Sequence, residues 1–315
     1  MRIAILGRTR WLLEAAAALA DAGHRIVFVA TAKAAPEYGV DARDFAALAS
    51  RHAAVFLDDP AINNPETVDV LRASGAEVGV SINWPTLIRQ TTCEALPHGI
   101  LNSHSGDLPR YRGNACPNWA IINGEERVGL CVHRMDPVEL DAGPVFARSF
   151  LPLADDTYIA DVYAWMATEV PALFLAAVSN LQRPGFVPED QAALGVRPLR
   201  CHPRRSEDGR IDWSAPASHV LRLVRASSRP FRGAFAFLDG ETEVTIWRAR
   251  PAALDHDVLA VPGQIMGRGP HQGVLVACGS GVIEIDEADM RGGGRLPSAN
   301  RFRLTPWPGG SPRVV

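Results

Sequence analysis

The sequence lacks most of the features that mark nucleic-acid-binding, secreted and membrane-spanning proteins. Its 32 basic and 35 acidic residues leave a net charge of −3, so it has no basic excess of the kind that favours nucleic acid. Its five cysteines are spread without a CxxC pair, which disfavours a zinc site or a disulfide framework. The N-terminus has no signal-peptide layout, and no apolar run reaches the roughly 18 residues of a membrane span. We therefore expect a cytoplasmic protein without a metal.

The first half also lacks the glycine fingerprint of dinucleotide binding, since Gly7 follows the first predicted strand without a G-x-G-x-x-G pattern. Short apolar strands nevertheless alternate with helical patterns. This alternation predicts an α/β fold with a doubly wound, mostly parallel sheet and helices on both faces. The predicted strands are residues 2–6, 25–30, 54–57, 77–82 and 99–102, and the predicted helices are residues 12–22, 45–53 and 65–73. Ligands of such sheets bind at the carboxyl ends of strands, where Asn102 lies.

The second half changes character after a long helical pattern over residues 157–182, in which Pro171 should kink or divide the helix. The length of 315 residues allows two domains. We predict a catalytic domain over 1–185, a Pro- and Arg-rich linker over 186–209 and a small, OB-like β-barrel over 210–315. The barrel segment begins with a predicted helix over 217–226 and ends in a Pro/Gly-rich tail, 303–315, that should be irregular. Its predicted strands are residues 233–238, 243–249, 263–266, 273–278 and 282–285.

The residues that suit chemistry best are Asn102 and His104, two apart beside a predicted strand, and Asp141 in a later turn. Residues i and i+2 of an extended chain point to the same side. An Asn amide can donate to an oxyanion, a histidine can accept a proton near neutral pH, and a carboxylate can orient that histidine. The set suits acyl transfer to an amine. Spacing alone also allows His104 to be an ordinary strand-end residue and Asp141 an ordinary turn residue.

The surrounding motifs resemble the signature of the folate-dependent formyltransferases. They are Asn102-Ser103-His104, the loop Leu108 to Gly113, and Leu140 to Gly143, with Gly106-Asp107 as a mild departure from the family pattern. The resemblance implies a catalytic triad of Asn102, His104 and Asp141, and N10-formyltetrahydrofolate as the donor. It also implies a pterin-binding segment, for which ordinary packing is the alternative. The implied cofactor-binding residues are Trp84, Pro85, Thr86, Leu87, Ile88, Val138 and Leu140.

Residues 210–213 and 230–235 resemble the start of the C-terminal barrel of longer family members. Segments around Asn118, Asn123 and His133 resemble the enzymes that formylate nucleotide-linked amino sugars, and we expect such an acceptor. Methionyl-tRNA, hydroxyornithine and a catalytically inactive folate-binding module are the alternatives, and a homodimer stays open. The predicted acceptor-binding residues are Arg110, Tyr111, Arg112, Asn114 and Asn118, with Arg204 and Arg205 as further candidates for the diphosphate.

Overall fold

The apolar runs of the first half form a seven-stranded sheet with the order β3-β2-β1-β4-β5-β7-β8. The structure, a computed structural model, describes residues 1–34 and 38–303 and divides into two units. The first unit consists of Met1–Cys116, Arg127–Pro152 and Tyr163–His202, and the second of Pro117–Glu126, Leu153–Val162 and the chain from Pro203.

The strands and helices up to β9 follow the chain in this order: β1 Arg2–Gly7, α1 Arg10–Asp21, β2 Arg25–Thr31, α2 Ala42–His52, β3 Val55–Asp58, α3 Pro65–Ala73, β4 Val78–Ile82, α4 Gln90–Cys93, β5 Ile100–His104, β6 Arg112–Gly113, α5 Cys116–Asn123, β7 Arg127–Arg134, β8 Val145–Pro152, α6 Ile159–Gln182 and β9 Arg200–Cys201.

The sheet is wound outward in two directions from β1, with β2 and β3 on one side and β4 and β5 on the other, all parallel. Since crossovers between parallel strands are right-handed, the connecting helices fall on opposite faces. All five residues of β4 are buried, as expected for a strand covered on both faces. The last two strands, β7 and β8, are antiparallel. The predicted doubly wound, mostly parallel fold is thus confirmed.

Local sequence signals set the ends of the early helices. The side chain of Thr9 accepts from the backbone N–H of Leu12 and caps α1, while Asp41 and Asp44 form a reciprocal capping box for α2. Pro65 occupies the first turn of α3, where its missing N–H costs nothing. Each cap satisfies donors that the first helical turn leaves unpaired.

Helix α6 runs unbroken for 24 residues with Pro171 inside it, so Pro171 does not divide the helix, and a kink at Pro171 stays a prediction. By length and composition alone α6 is apolar enough to cross a membrane, although core helices meet the same criterion. Its fully buried residues recur every three or four positions and form one packed face. They include Val162, Val170, Phe174 and Val178. Burying such side chains contributes about 1.5–3 kcal/mol each, which outweighs the proline's cost of about 3 kcal/mol.

The second unit contains a closed barrel of six antiparallel strands in the order β10-β11-β14-β13-β12-β15, which confirms the small barrel. Its elements are α7 Ala217–Ser227, β10 Ala234–Leu238, β11 Thr242–Ala252, β12 Gln264–Arg268, β13 Val274–Ala277, β14 Val282–Met290 and β15 Asn300–Arg303. The stacked rings of Trp213 and Phe302, with centroids 5.1 Å apart, lie among its buried residues. Of the tail predicted to be irregular, Arg303 ends β15 and residues 304–315 lie outside the described residues.

Candidate functional site

Strand β5 carries both Asn102 and His104, because it continues through His104 instead of ending at Asn102. It pairs in parallel with β4 as far as Asn102 and antiparallel with β7 as far as His104. The two side chains therefore occupy alternate positions at the carboxyl end of the strand, on one side of the sheet. The i, i+2 relationship expected from spacing is present.

Both nitrogens of the buried His104 ring face an acceptor. Nε2 lies 2.6 Å from the backbone carbonyl of Tyr111, and Nδ1 lies 3.5 Å from Oδ2 of Asp141. A carbonyl can only accept, so Nε2 must carry a proton. Nδ1 faces the Asp141 carboxylate, which is also an acceptor. Each ring nitrogen therefore has an acceptor for a proton, and Asp141 can stabilise the ring when both nitrogens carry one.

Asp141 is buried, with 8% of its surface exposed, in a turn where its φ is +55°. The backbone N–H of Gly113 donates to its Oδ2 at 2.8 Å. Its Oδ1 lies 3.5 Å from Nε2 of His133. One carboxylate is thus shared between two imidazoles and a backbone donor.

Opposing effects act on the ionisation of Asp141. Burial by itself raises the pKa of the carboxyl, but the charge of His104, the hydrogen bond and charge of His133 and the Gly113 N–H together hold that pKa well below its usual range. Asp141 is therefore a carboxylate at neutral pH, and it can stabilise an imidazolium at His104.

His133 is a site residue that the sequence reasoning assigned no role. It lies directly opposite Asn102 in the β5–β7 pair, and it is 1% exposed. Its Nδ1 donates to the carbonyl of Arg134 at 3.0 Å. In the neutral ring Nε2 is therefore the acceptor, and Nδ2 of Asn102 lies 3.3 Å from it; in the charged ring Nε2 donates to Asp141 instead. A signal was present: residues 128–132 form an apolar run typical of a strand, and only the register of that strand against β5 was needed to place His133 opposite the N-x-H motif.

The cysteines near the site are buried thiols. Sγ of Cys116 lies 3.8 Å from Nε2 of His104, but its hydrogen bond with the Cys201 thiol and its burial raise the pKa of Cys116 far above the ordinary value. Burial raises the pKa of Cys131 to about 11, and its thiol donates to the carbonyl of Gly106. Since the thiolate is the reactive form, neither Cys116 nor Cys131 has the character of a nucleophile.

The residues expected to bind the pterin have mixed environments, and their role stays a prediction. Leu87 and Val138 are 61% and 90% exposed, which is unusual for apolar side chains beside a sheet and leaves them available to a flat ring. Trp84 is half-buried and donates through Nε1 to Thr86 Oγ1. Ile88 packs in a core cluster. Pro85 is exposed and Leu140 half-buried.

The residues expected to bind the acceptor are largely engaged by the protein itself. Tyr111 is buried at φ +60°, and its carbonyl serves His104. Arg112 is buried and donates to the side chains of Gln191 and Glu139. Arg110 lies over the Tyr111 ring, and Asn114 is exposed. The free-cation role foreseen for Arg112 thus conflicts with its contacts, because a buried guanidinium that is already paired offers little to an anion.

Three further candidates, Asn118, Arg204 and Arg205, lie in the second unit. Nδ2 of the buried Asn118 donates to the carbonyl of Ala226 at 2.8 Å. Arg204 donates to the carbonyl of Asp208 and to Ser227 Oγ, while the neighbouring Arg205 is exposed. Among the residues that the structure describes, no group of three or more His, Cys, Asp or Glu side chains could hold a metal ion.

A doubly wound sheet, an amide, an oriented imidazole and a carboxylate are the fold and chemistry of a group-transfer enzyme. Residues 1–178 match the formyl transferase family model, and residues 204–303 match the model of the formyl transferase C-terminal domain. The chain therefore belongs to the formyltransferase family, and it is a folate-dependent formyl-transfer enzyme.

Among its relatives is the methionyl-tRNA formyltransferase of Solibacter usitatus, which is 30% identical over 315 residues, with 97% of each chain covered. That of Chloroflexus aggregans is 33% identical, with 91% of this chain and 92% of the relative covered. The similarity thus extends over both units.

Solved structures of similar fold include the sugar 3N-formyltransferase WlaRD, with a TM-score of 0.63, 15% identity and coverage of 91% of this chain and 97% of that one. HypX from Aquifex aeolicus in complex with tetrahydrofolic acid has a TM-score of 0.60 at 22% identity. The match covers 94% of this chain but spans less than half, 46%, of the HypX chain. At these identities the likeness is one of fold.

Proposed function

We propose that the protein transfers the formyl group of N10-formyltetrahydrofolate to the amine of a nucleotide-linked amino sugar, with Asn102, His104 and Asp141 as catalytic residues. The observation that carries the proposal is the contact between His104 Nδ1 and the buried carboxylate of Asp141. Nε2 is already hydrogen-bonded to the Tyr111 carbonyl, so a proton taken up by the pair lies between Nδ1 and the carboxylate, which stabilises the charged ring.

N10-formyltetrahydrofolate is a substrate of this reaction and supplies the formyl carbon. The neutral acceptor amine attacks that carbon, a new C–N bond forms, and the carbonyl electron pair moves to oxygen. An Asn102 N–H donates to the resulting oxyanion. The amine nitrogen, now positively charged, releases a proton to the His104–Asp141 pair, and the carboxylate stabilises the imidazolium.

Collapse of the intermediate re-forms the carbonyl and breaks the bond from carbon to N10. The His104–Asp141 pair returns the proton to N10, so the pair regains its starting charge and tetrahydrofolate leaves. One histidine serves as base and then as acid, as in other acyl transfers. No Ser or Cys nucleophile is required, which agrees with the thiol character of Cys116 and Cys131.

Two observations support a small acceptor. Residues 31–44, from the end of β2 to the first turn of α2, include two basic and three acidic residues, Lys33 and Arg43 against Glu37, Asp41 and Asp44. The residues matching the C-terminal family model, 204–303, have fourteen arginines against twelve acidic residues. Phosphate contacts dominate nucleic-acid affinity, and neither segment concentrates positive charge.

Methionyl-tRNA is the second candidate acceptor, because relatives with about 30% identity over almost the whole chain are methionyl-tRNA formyltransferases. The two candidates differ in a measurable way. A tRNA acceptor would make KM rise steeply with salt, since binding releases counterions from the phosphates. A nucleotide-linked sugar carries only two phosphates, so its KM would change little.

The experiment is a turnover assay with N10-formyltetrahydrofolate that follows tetrahydrofolate release. A panel of UDP- and dTDP-linked amino sugars is compared with methionyl-tRNA and hydroxyornithine at two salt concentrations. We expect kcat/KM for one nucleotide-linked amino sugar to exceed that for methionyl-tRNA by at least about 100-fold, a difference of about 2.7 kcal/mol. Efficient formylation of methionyl-tRNA with no sugar turnover would overturn the acceptor assignment. Retained folate binding without turnover of any amine would overturn formyl transfer by this site.

A further inference from the structure

The segment for which composition predicts a linker returns to the first unit and pairs with it. Val145 and Glu189 exchange two backbone hydrogen bonds of 2.9 Å each. Further on, β9 pairs in parallel with β6, so that Gly113 lies opposite Cys201. Gln191 lies between these two pairings and is 2% exposed.

The Gln191 side chain uses its whole hydrogen-bonding capacity inside the protein. Its Nε2 donates to the carbonyls of Asp141 and Gly143, at 2.8 and 2.7 Å. Its Oε1 accepts from Nε and Nη2 of Arg112, at 3.2 and 2.8 Å. A primary amide has two N–H donors and two acceptor lone pairs, so all four positions are filled. Arg112 also settles which end of the amide faces the turn.

Gln191 therefore connects two segments through hydrogen bonds. One is the turn that contains Asp141, and the other is the strand β6, which begins at Arg112. That strand also holds the Asp141 side chain, because the Gly113 N–H donates to its carboxylate. It directly follows Tyr111, whose carbonyl fixes the His104 ring. The Tyr111 carbonyl orients His104 and the Gly113 N–H orients Asp141. The Gln191 amide connects the segment that carries both groups to the Asp141 turn.

This connection matters because the Asp141 turn is not set by local preference. Asp141 adopts a left-handed backbone conformation that is uncommon for a residue other than glycine. Its Oδ2 lies 3.5 Å from His104 Nδ1, at the long limit of a direct contact. A shift of a few tenths of an ångström in the turn would therefore decide whether the Asp141 carboxylate contacts the His104 ring.

We propose that Gln191, oriented by Arg112, is a positioning residue that holds Asp141 against His104. The assignment rests on the proposed function, since it requires Asp141 to act in catalysis. Gln191 contacts neither substrate nor a reacting atom, because its side chain is consumed by Arg112 and two carbonyls. Its effect on the reaction must pass through Asp141.

The test is a double-mutant cycle in the full-length enzyme, with Gln191→Glu measured alone and in an Asp141→Asn background. A carboxylate at position 191 keeps the acceptor for Arg112 but cannot donate to the two carbonyls. We expect Gln191→Glu alone to lower kcat by about 10- to 100-fold, with KM for both substrates within about threefold, as for a small misplacement of a catalytic group. In the Asp141→Asn background the same change should lower kcat less than about twofold, because contacting residues that act as a unit are not additive. Gln182→Glu, the same change at an exposed position, is the matched control and should leave kcat unaltered.

Equal losses in both backgrounds, or no loss in the wild-type background, would overturn the positioning role. Wild-type turnover by Asp141→Asn alone would instead overturn the proposed catalytic role of Asp141, so the two failures are distinguishable. If Gln191→Glu does not fold, as judged by circular dichroism, Arg112→Met takes its place in the cycle. Arg112→Met removes the donors that orient the Gln191 amide. We expect it, too, to lower kcat in the wild-type background and to have little effect in the Asp141→Asn background.

Discussion

Nδ2 of Asn102 lies 3.3 Å from Nε2 of His133, across a strand pair in which the two residues are directly opposite. Nδ1 of His133 donates to the Arg134 carbonyl, so in the neutral ring Nε2 has a lone pair for the Asn102 amide. The amide must present its nitrogen to that atom. One N–H of Asn102 is thus held by His133, and the orientation of the amide that would donate to an oxyanion is set.

Replacement of His133 by Phe should lower kcat by about 10- to 100-fold, because the Asn102 amide loses the acceptor that sets its orientation and can rotate its oxygen toward the oxyanion. KM should change little, since no substrate contact is removed. Steady-state kinetics with both substrates measure the split. His98→Ala, at an exposed histidine, is the control. An unaltered kcat in His133→Phe would show that Asn102 is oriented by other groups.

Direct removal of the catalytic side chains should have larger effects. We expect Asn102→Ala to lower kcat by about 100- to 1,000-fold, as for loss of an oxyanion donor. His104→Ala should lower kcat by about 100- to 10,000-fold, as for loss of a general base. Single-turnover formyl transfer measures the chemical step, and fluorescence titration with tetrahydrofolate checks that the donor site is intact. Near-normal turnover in both variants would remove the basis for this site.

The carboxylate of Asp141 should make a contribution to stability that depends on pH. Burial raises the pKa of Asp141, but the charge of His104, the His133 contact and the Gly113 N–H outweigh it and lower that pKa below the unfolded value, which is about 3.9. A depressed pKa stabilises the folded state above the unfolded pKa, and that contribution is lost as pH falls through the folded pKa.

Asp141→Asn should therefore lower the free energy of unfolding at pH 7 by about 1–3 kcal/mol. The difference from the wild type should shrink below about pH 4, as the carboxyl takes up its proton. Urea denaturation at pH 8, 5 and 3.5 measures it. A difference that grows as pH falls would mean that the folded protein favours the protonated carboxyl, contrary to its contacts.

Much of the fold could be predicted from the sequence because local residue patterns determine each of the early strands and helices. The strand at 78–82 is buried throughout and apolar except for Ser81, and Pro65 begins α3 at the predicted residue. The error at Pro171 has the opposite origin, since proline's local cost is overcome by burial of Val170 and Phe174 in contacts that no local pattern contains. Strand β15 was missed because its four residues, Asn300–Arg303, include three polar side chains and one buried residue, Phe302.

In the site, too, local relationships could be predicted from the sequence and tertiary contacts could not. Asn102 and His104 share one strand, so their common orientation follows from a period of two residues. Asp141 reaches His104 from a turn 37 positions further along the chain, and only the family resemblance joined them. Gln191 lies 79 positions from Arg112. Its hydrogen bonds depend on tertiary pairing of a segment that reads, by composition, as a linker.

The barrel of the second unit holds one carboxylate almost entirely out of water. Glu284 on β14 is 1% exposed. Its Oε1 accepts from the backbone N–H groups of His271 and Gly273 at 3.0 and 2.9 Å, and its Oε2 lies 3.0 Å from Nδ1 of His271. A Cβ at Gly269 would lie 2.5 Å from this carboxyl. The glycine-rich turn between β12 and β13 is therefore folded around Glu284.

Replacement of Glu284 by Ala should lower the free energy of unfolding by about 2–4 kcal/mol, because it leaves two buried backbone donors without an acceptor. Glu284→Gln keeps one oxygen for those donors and should cost less. Asp286→Ala, two residues along the same strand, removes the ion pair with Arg250 at the surface and should cost at most about 1 kcal/mol. Urea denaturation measures all three variants, and hydrogen exchange at the amides of His271 and Gly273 locates the effect. Equal losses of unfolding free energy in Glu284→Ala and Asp286→Ala would contradict this role of Glu284. They would mean that water replaces the carboxylate at the His271 and Gly273 N–H groups and that the turn keeps its shape.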